Sequence, residues 1–447
     1  MTQPKIREWP SYRTVWRWHF FAGIFCIPFV IFLSVTGTLY LFKPQFEAWQ
    51  QRPYESVASI DSHRPMSQQV QAVLAEYPTA KTIQVELPRL DSGATRMILK
   101  DARGTWRIYA NPATLAILHV ENENTSLMKR IKALHGQLGI GTWGSYLVEL
   151  AACWTIVMLI TGLVLWWPKN AKGLGGVLYP RWAKGSRVLW RDLHSVIGFW
   201  VSAFAIFLIL TGLPWAKFWG NYFRTVRQTA GMSSNAQDWS IGGKPTESQS
   251  GHSEHDHTAK TVSSKRQGRS AGAPIPKDLN GFDVLEQIAK RELLAHPVVL
   301  SPPEKEAGYW KLASESQNRP LRQTLSIDVK DGSVASREDF SGKHWIDRAV
   351  GIGIAAHEGQ LFGGLNQILG LMTTTGLIAL ASSGAWMWWN RRQKGTIGIP
   401  EPLQQTPLVW SIWMGILLLG VAMPLFGASL LIVLLFDKTI CWWGQSP

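Results

Sequence analysis

Two stretches decide the fold when set side by side: HFFAGIFCIPFVIFLSVTGTLYLF, residues 19–42, and HSVIGFWVSAFAIFLILTGLPW, residues 194–215. Each opens on a histidine, places a glycine four residues later (Gly23, Gly198) and reaches a Thr-Gly pair 17 residues after the histidine (Thr36-Gly37, Thr211-Gly212). Each is also apolar over the ~20 residues a helix needs to cross ~30 Å of hydrocarbon. A second frame runs His135, Thr161-Gly162, Trp166-Trp167 and again His357, Ser383-Gly384, Trp388-Trp389, with the hydroxyl 26 and the first Trp 31 residues beyond the histidine both times. Internal repetition outranks any short motif in reading a fold. The first frame recurs after 175 residues and the second after 222, so 47 residues have entered between the third and fourth spans.

Working outward, the 447 residues are 46% hydrophobic and only 17% charged, against roughly 25% charged in soluble domains. A mean hydropathy near zero then calls for membrane spans combined with sizeable polar domains. The 24 Trp suit rings at membrane interfaces. A fifth apolar run follows at 408–436. Lys and Arg resist translocation, so basic short segments stay cytoplasmic. The N-terminus up to Trp18, residues 168–193 and residues 390–407 hold 13 Lys and Arg against three acids, most of the chain's net +14. The basic balance therefore reports topology and calls for no nucleic acid. The first span exceeds a signal peptide's apolar core and has no small-residue cleavage site after it, so it reads as a retained anchor.

The expected fold is an α-helical integral membrane protein of about five spans, in a parallel repeat of span, external α+β domain, span, twice, plus a C-terminal helix. Its parts are a cytoplasmic N-terminus at 1–19, spans at 20–42, 194–215 and 408–436, and external entries leading into spans at 135–167 and 357–389. Cytoplasmic loops take 168–193 and 390–407, external domains 43–134 and 216–356, and an external C-terminus 437–447. In the external domains, amphipathic helices are expected at 66–76 and 282–294, and alternating strands at 82–87, 95–100, 105–110, 308–313 and 322–329. Residues 231–276, rich in Ser, Gly, Lys and His, read as an inserted loop.

Of the 11 histidines, four fall in the repeat frames: His19, His194, His135 and His357. The topology sorts them into an inner pair, His19 and His194, and an outer pair, His135 and His357. Two imidazoles on facing helices can hold one planar iron porphyrin axially, with each second N–H oriented by an acceptor. Glycines at 23, 37, 162, 198, 212 and 384 offer the close backbone approach a flat macrocycle needs. Arg13, Arg17 and Arg191 inside, and Lys132 and Arg348 outside, are expected propionate partners. Glu149, inside a span, is expected to be paired, near water or at the interface. Cys26 and Cys153 read as small apolar residues. The GxGxxG string at Gly139, Gly141 and Gly144 follows no strand and carries no dinucleotide fingerprint. The run from Gly251 to His257 has metal-binding side chains in a loop setting.

The starts His19-x3-Gly23 and His194-x3-Gly198, the stretch Leu134-His135-Gly136-Gln137, the Thr-Gly ends, Trp166-Trp167-Pro168 and Trp388-Trp389-Asn390 make the chain resemble the PepSY-associated transmembrane family of bacterial inner membranes. That resemblance implies PepSY-like external domains in the periplasm and the four histidines as ligands of two b-type haems (two haem b). It also implies a ferric-siderophore reductase, a haem-dependent oxidoreductase. Electrons would come from a cytoplasmic reductase or a quinol donor and go to a periplasmic ferric siderophore or other ferric chelate, releasing Fe(II), which hard oxygen ligands hold less tightly. The rival expectations are a non-redox membrane protein that binds or restrains a periplasmic peptidase or peptide, and a chelate transporter.

Overall fold

The computed structural model describes residues 12–58, 62–168, 173–232, 273–304, 308–393, 398 and 410–443. Its helices are α1 Tyr12–Leu41, α2 Lys43–Gln51, α3 Met66–Glu76, α4 Leu127–Gln137, α5 Thr142–Trp166, α6 Ser186–Gly212, α7 Lys217–Thr229, α8 Gly281–Glu292, α9 Trp345–His357, α10 Gly364–Arg391, α11 Trp410–Ala422 and α12 Pro424–Trp443. The strands are β1 Thr82–Glu86, β2 Thr95–Lys100, β3 Thr105–Ala110, β4 Ile117–Asn122, β5 Ala273–Pro274, β6 Val298–Ser301, β7 Trp310–Ser314, β8 Gln323–Asp328 and β9 Ser333–Asp339. The chain forms two compact units: a helical one of Met1–Thr38, Ala133–Gly231 and Ile368–Pro447, and a sheet-bearing one of Leu39–Lys132 and Met232–Gln367.

In the helical unit, four helices among the described residues are long and apolar enough to cross a membrane: Tyr12–Leu41, Thr142–Trp166, Ser186–Trp215 and Gly364–Arg391. The four repeat-frame spans therefore fall where the apolar runs placed them. The fifth does not. Residues 408–436 form no single helix but two, α11 and α12, broken at Met423. Pro424 is the cause: it has no N–H to continue α11 and suits the first position of a new helix. Gly420 and Gly427 let the two helices touch at the bend, where a Cβ on Gly427 would come within 3.0 Å of the Gly420 carbonyl oxygen.

A helix broken among apolar helices strands backbone carbonyls, and such a break survives only where they find donors. Here α7 supplies them. The Trp219 indole N–H donates to Ala422 O at 2.9 Å and the Tyr222 hydroxyl to Val421 O at 3.1 Å. Met423 and Phe426, at the bend, pack with Cys153, Ile156 and Leu213 in a small apolar core. Both Cys153 and Cys26 are buried free thiols among apolar neighbours.

The start of α7 is itself capped from α5. The Glu149 carboxylate accepts the N–H groups of Phe218 and Trp219, both at 3.1 Å, and Ser145 Oγ accepts that of Lys217 at 3.1 Å. Ser145 and Glu149 are four residues apart and share one face of α5. The carboxylate at an apolar depth is thus a remote helix cap, favoured by the positive end of the α7 dipole.

In the sheet-bearing unit the expected separate external domains share one antiparallel sheet. Its strand order is β4-β3-β2-β1-β6-β7-β8-β9, with β5 also beside β1. Each half is a four-stranded meander, and the halves join where Val85 and Glu86 of β1 pair with Leu300 and Val299 of β6. Helices α3 and α8 cover one face, burying Met66, Val70, Phe282 and Leu285 against Ile83, Met97, Leu300 and Leu325. One continuous core, not two, stabilises the unit, because a single meander of this size buries too little apolar surface alone. Residues 233–272, which include most of the expected insertion and the stretch from Gly251 to His257, lie outside the described residues.

Candidate histidine site

His19 lies two turns into α1. Its Nδ1 sits 3.0 Å from Met158 O and 3.1 Å from Thr161 Oγ1, both on α5. A carbonyl can only accept, so Nδ1 carries the proton and Nε2 keeps its lone pair. His194 on α6 repeats the arrangement on α10, with Nδ1 at 3.1 Å from both Leu380 O and Ser383 Oγ. His135, in the last turn of α4, sets Nδ1 at 3.1 Å from Thr36 Oγ1 of α1. The Thr36 hydroxyl already donates to Phe32 O at 2.9 Å, so it accepts from the imidazole and leaves His135 in the same tautomer.

Each ring rests on the glycine that follows its hydroxyl. A Cβ on Gly162 would stand 3.1 Å from His19 Cε1, one on Gly384 3.2 Å from His194 Cε1, and one on Gly37 3.0 Å from His135 Cε1. These glycines were expected to admit a macrocycle; what they admit is the imidazole edge. The Thr-Gly and Ser-Gly pairs are therefore histidine seats. Gly23, by contrast, has nothing within 4 Å of where a Cβ would be, and Gly198 faces Leu380.

His19 and His194 come together, their ring centroids 6.3 Å apart and their planes at 85°. After α4 the chain turns tightly before α5. Leu138, Gly139 and Gly141 take φ values of 51°, 73° and 68°, a left-handed turn that glycine favours, and α5 then starts afresh. A Cβ on Gly144 would collide with the backbone of Gln137 in the same turn. The GxGxxG string thus builds the tight turn between α4 and α5. His357 closes α9 in the sheet-bearing unit, half-buried, with Gly359 and Gly363 turning the chain into α10 at φ 71° and 59°. Among the described residues no three or more His, Cys, Asp or Glu converge as a metal site.

Two of the expected charged partners, Arg191 and Arg17, make contacts within the chain. Arg191 and Arg181 both bind the buried Asp192, Arg191 Nη2 at 3.0 Å and Arg181 through Nε at 2.7 Å and Nη2 at 2.9 Å. Arg17 lies over the Phe21 ring at 5.6 Å. The sheet-bearing unit has its own buried ion cluster, with Glu86 accepting from Arg96 at 2.7 Å and from Arg107 at 2.6 Å. Burial pushes the Glu86 carboxyl up, but the Arg107 and Arg96 guanidiniums outweigh it and hold it below the usual carboxylate range. Burial likewise pushes the neighbouring Tyr109 hydroxyl up, to about 12, against the pull of Arg107 and Arg96.

The family model for the PepSY-associated TM region matches residues 16–391. The chain belongs to this family. The match takes in all four repeat-frame histidines and their seats and ends at Arg391, so the α11–α12 hairpin lies beyond the family region. With four membrane-length helices and a transmembrane family, this is a membrane protein. No curated protein matches the chain.

Proposed function

We propose that the protein carries single electrons across a bacterial inner membrane to a periplasmic ferric chelate, such as a ferric siderophore, through two b-type haems. The observation that carries this reading is the His19–His194 pair, brought together with each Nδ1 committed to an acceptor on a neighbouring helix. Imidazole–metal bonds run about 2 Å, so two rings binding one ion from opposite sides leave their centres about 6 Å apart. The observed 6.3 Å suits that arrangement.

A haem held there by His19 and His194 would supply one-electron redox chemistry. The chain's own residues do the rest. Thr161 with Met158 O, and Ser383 with Leu380 O, fix the ring orientations and raise the basicity of each Nε2. Gly162 and Gly384 let each ring lie close against its helix. By the sequence frame alone, His135 and His357 are the second ligand pair, serving the outer side. The repeat, with two PepSY-like halves facing the periplasm, is part of the same reading. The polar domain would bind the chelate, and Fe(II) would leave because its oxygen ligands hold it less tightly.

The test is a reduced-minus-oxidised spectrum of the purified protein with haem counted per chain, repeated for His19→Ala and His135→Ala. Two b-type haems, with one lost in each variant, are expected. A chain without haem, after expression with ample haem supply, would overturn the reading in favour of a non-redox protein that binds or restrains a peptidase or peptide.

A further inference from the structure

Amphipathic helices that cover a sheet turn polar side chains to water. Helices α3 and α8 do so, exposing Gln68, Gln71 and Glu76 on one and Gln287, Lys290 and Arg291 on the other. Helix α9 breaks that pattern. Its inner face is committed: Asp347, Gly351, Ile354 and Ala355 are buried, and a Cβ on Gly351 would stand 2.7 Å from the Phe340 ring. Its outer face carries Trp345, Arg348, Ala349 and Ile352, spaced as one stripe, with Trp345 63% exposed and Ile352 43%. Helix α4, which like α9 carries a repeat-frame histidine in its last turn, does the same. It buries Met128 and Ile131 and turns Leu127, Arg130 and Leu134 outward, Leu127 being 52% exposed.

Both helices run directly into membrane-length spans. Six residues separate α9 from α10 and four separate α4 from α5. Asn366, in the first turn of α10, donates to Ala356 O at 2.9 Å and accepts from Leu361 N at 3.2 Å, so the end of α9 is tied to the start of the span. An apolar phase therefore begins where the stripe ends. Trp345 and Ile352 are two turns, about 10.5 Å, apart along one face, so one surface covers both only if α9 lies along it. Indole rings settle at the level of lipid headgroups, and aliphatic side chains on the same face sink just below them. A guanidinium between them reaches the phosphates while its methylene stem stays in the apolar zone. Arg348, with Lys343 just before the helix, and Arg130, between Lys129 and Lys132, supply that charge.

We propose that α4 and α9 are in-plane helices that rest on the phospholipid surface. Leu127, Leu134, Trp345 and Ile352 lie at the boundary of headgroups and acyl chains, and Arg130 and Arg348 meet anionic lipid phosphates. A helix lying flat holds the histidine of its last turn, His135 or His357, close to headgroup depth. The proposal needs no haem and stands apart from the electron-transfer reading.

The experiment uses the full chain in nanodiscs of phosphatidylcholine and phosphatidylglycerol, with Cys441→Ser, so that only the buried thiols of Cys26 and Cys153 remain. Trp345→Cys, Ile352→Cys and Leu127→Cys, one at a time, are timed for alkylation by a charged, lipid-insoluble thiol reagent, against Gln287→Cys on α8. Each is expected to react at least about tenfold more slowly than Gln287→Cys, with Trp345→Cys and Ile352→Cys slowed alike. A phosphatidylglycerol with a diazirine near the head of its acyl chain is expected to cross-link the α4 and α9 peptides and to spare those of α3 and α8. Arg348→Gln should lower the α9 cross-links of that lipid about two- to fivefold and leave those of a diazirine phosphatidylcholine unchanged. Alkylation as fast as at Gln287→Cys would put the stripes in water. Slow alkylation without lipid cross-links would mean that protein covers them, and fast alkylation at Trp345→Cys with slow alkylation at Ile352→Cys would stand α9 upright. Any of these three results overturns the proposal.

Discussion

Two chemically identical changes, Gly162→Ala and Gly23→Ala, should move the protein in opposite directions. Both glycines lie inside spanning helices, α5 and α1. Alanine is the better helix former by about 1 kcal/mol, and Gly23, with nothing within 4 Å of the added methyl, collects that gain. At Gly162 the methyl would stand 3.1 Å from His19 Cε1, about half an ångström inside the 3.5–4.0 Å optimum for carbon pairs. The ring must retreat by that amount. Its Nδ1 bonds, now 3.0 and 3.1 Å, would then stretch beyond the usual N–H···O limit of ~3.2 Å. Losing them costs roughly 0.5–1.5 kcal/mol and the overpacking roughly 1–3 kcal/mol, so the helix gain is outweighed. Gly162→Ala should destabilise by about 1–3 kcal/mol, and Gly23→Ala should stabilise by up to about 1 kcal/mol. Denaturant titration in detergent micelles reads the stabilities, and the haem spectrum reads the His19 site, which Gly162→Ala should impair. If the two variants shift stability alike and leave equal spectra, the seat argument is wrong.

Three further outcomes follow from the same reasoning. Glu149→Leu strands the amides of Phe218 and Trp219 at about 1–3 kcal/mol each, whereas Glu149→Gln keeps an acceptor and costs about 1 kcal/mol; hydrogen exchange in the first turn of α7 should accelerate sharply only in the former. Trp219→Phe and Tyr222→Phe each leave a carbonyl of the α11 end without its donor, at about 1–3 kcal/mol, which denaturant titration will measure. Glu86 is held below its unfolded value, near 4.3. Its ion pairs therefore contribute fully above about pH 5 and are lost as pH falls below about 4, so exchange protection in β1 and β2 should drop with acid in the wild type and depend less on pH in Glu86→Gln.

Legibility varied with the kind of signal each element carries. Helix α3 and strands β2 and β3 have the bounds that periodicity gives, because one face of each is committed to the core, Met66, Val70 and Val73 on α3, Met97 and Leu99 on β2, Ile108 and Ala110 on β3. Strands β4 and β9 went unseen. Both are sheet edges, β9 with nearly every residue exposed, and an edge strand has no buried face to impose alternation. Strand β6 has four residues, three of them buried, too short for any period to be read. The histidines were legible from the frames alone. Their seats were visible as Thr-Gly and Ser-Gly pairs without a partner, since a spacing along one chain does not say which helix will lie opposite.

What the sequence determined by itself is the inventory: four spans, their histidines at fixed intervals from a hydroxyl and a glycine, and the alternating strands between them. Local propensity and the length of hydrocarbon a helix must cross are encoded residue by residue, so they survive without knowledge of neighbours. Only the tertiary structure decided the pairings. It put His19 on the Thr161 seat and beside His194, joined two meanders through β1 and β6, bent 408–436 into a hairpin whose loose carbonyls α7 satisfies, and spent Glu149 on capping α7. Each of these satisfies a polar group or an apolar face of one segment with another more than 50 residues away, and that matching exists only once the chain has folded back on itself.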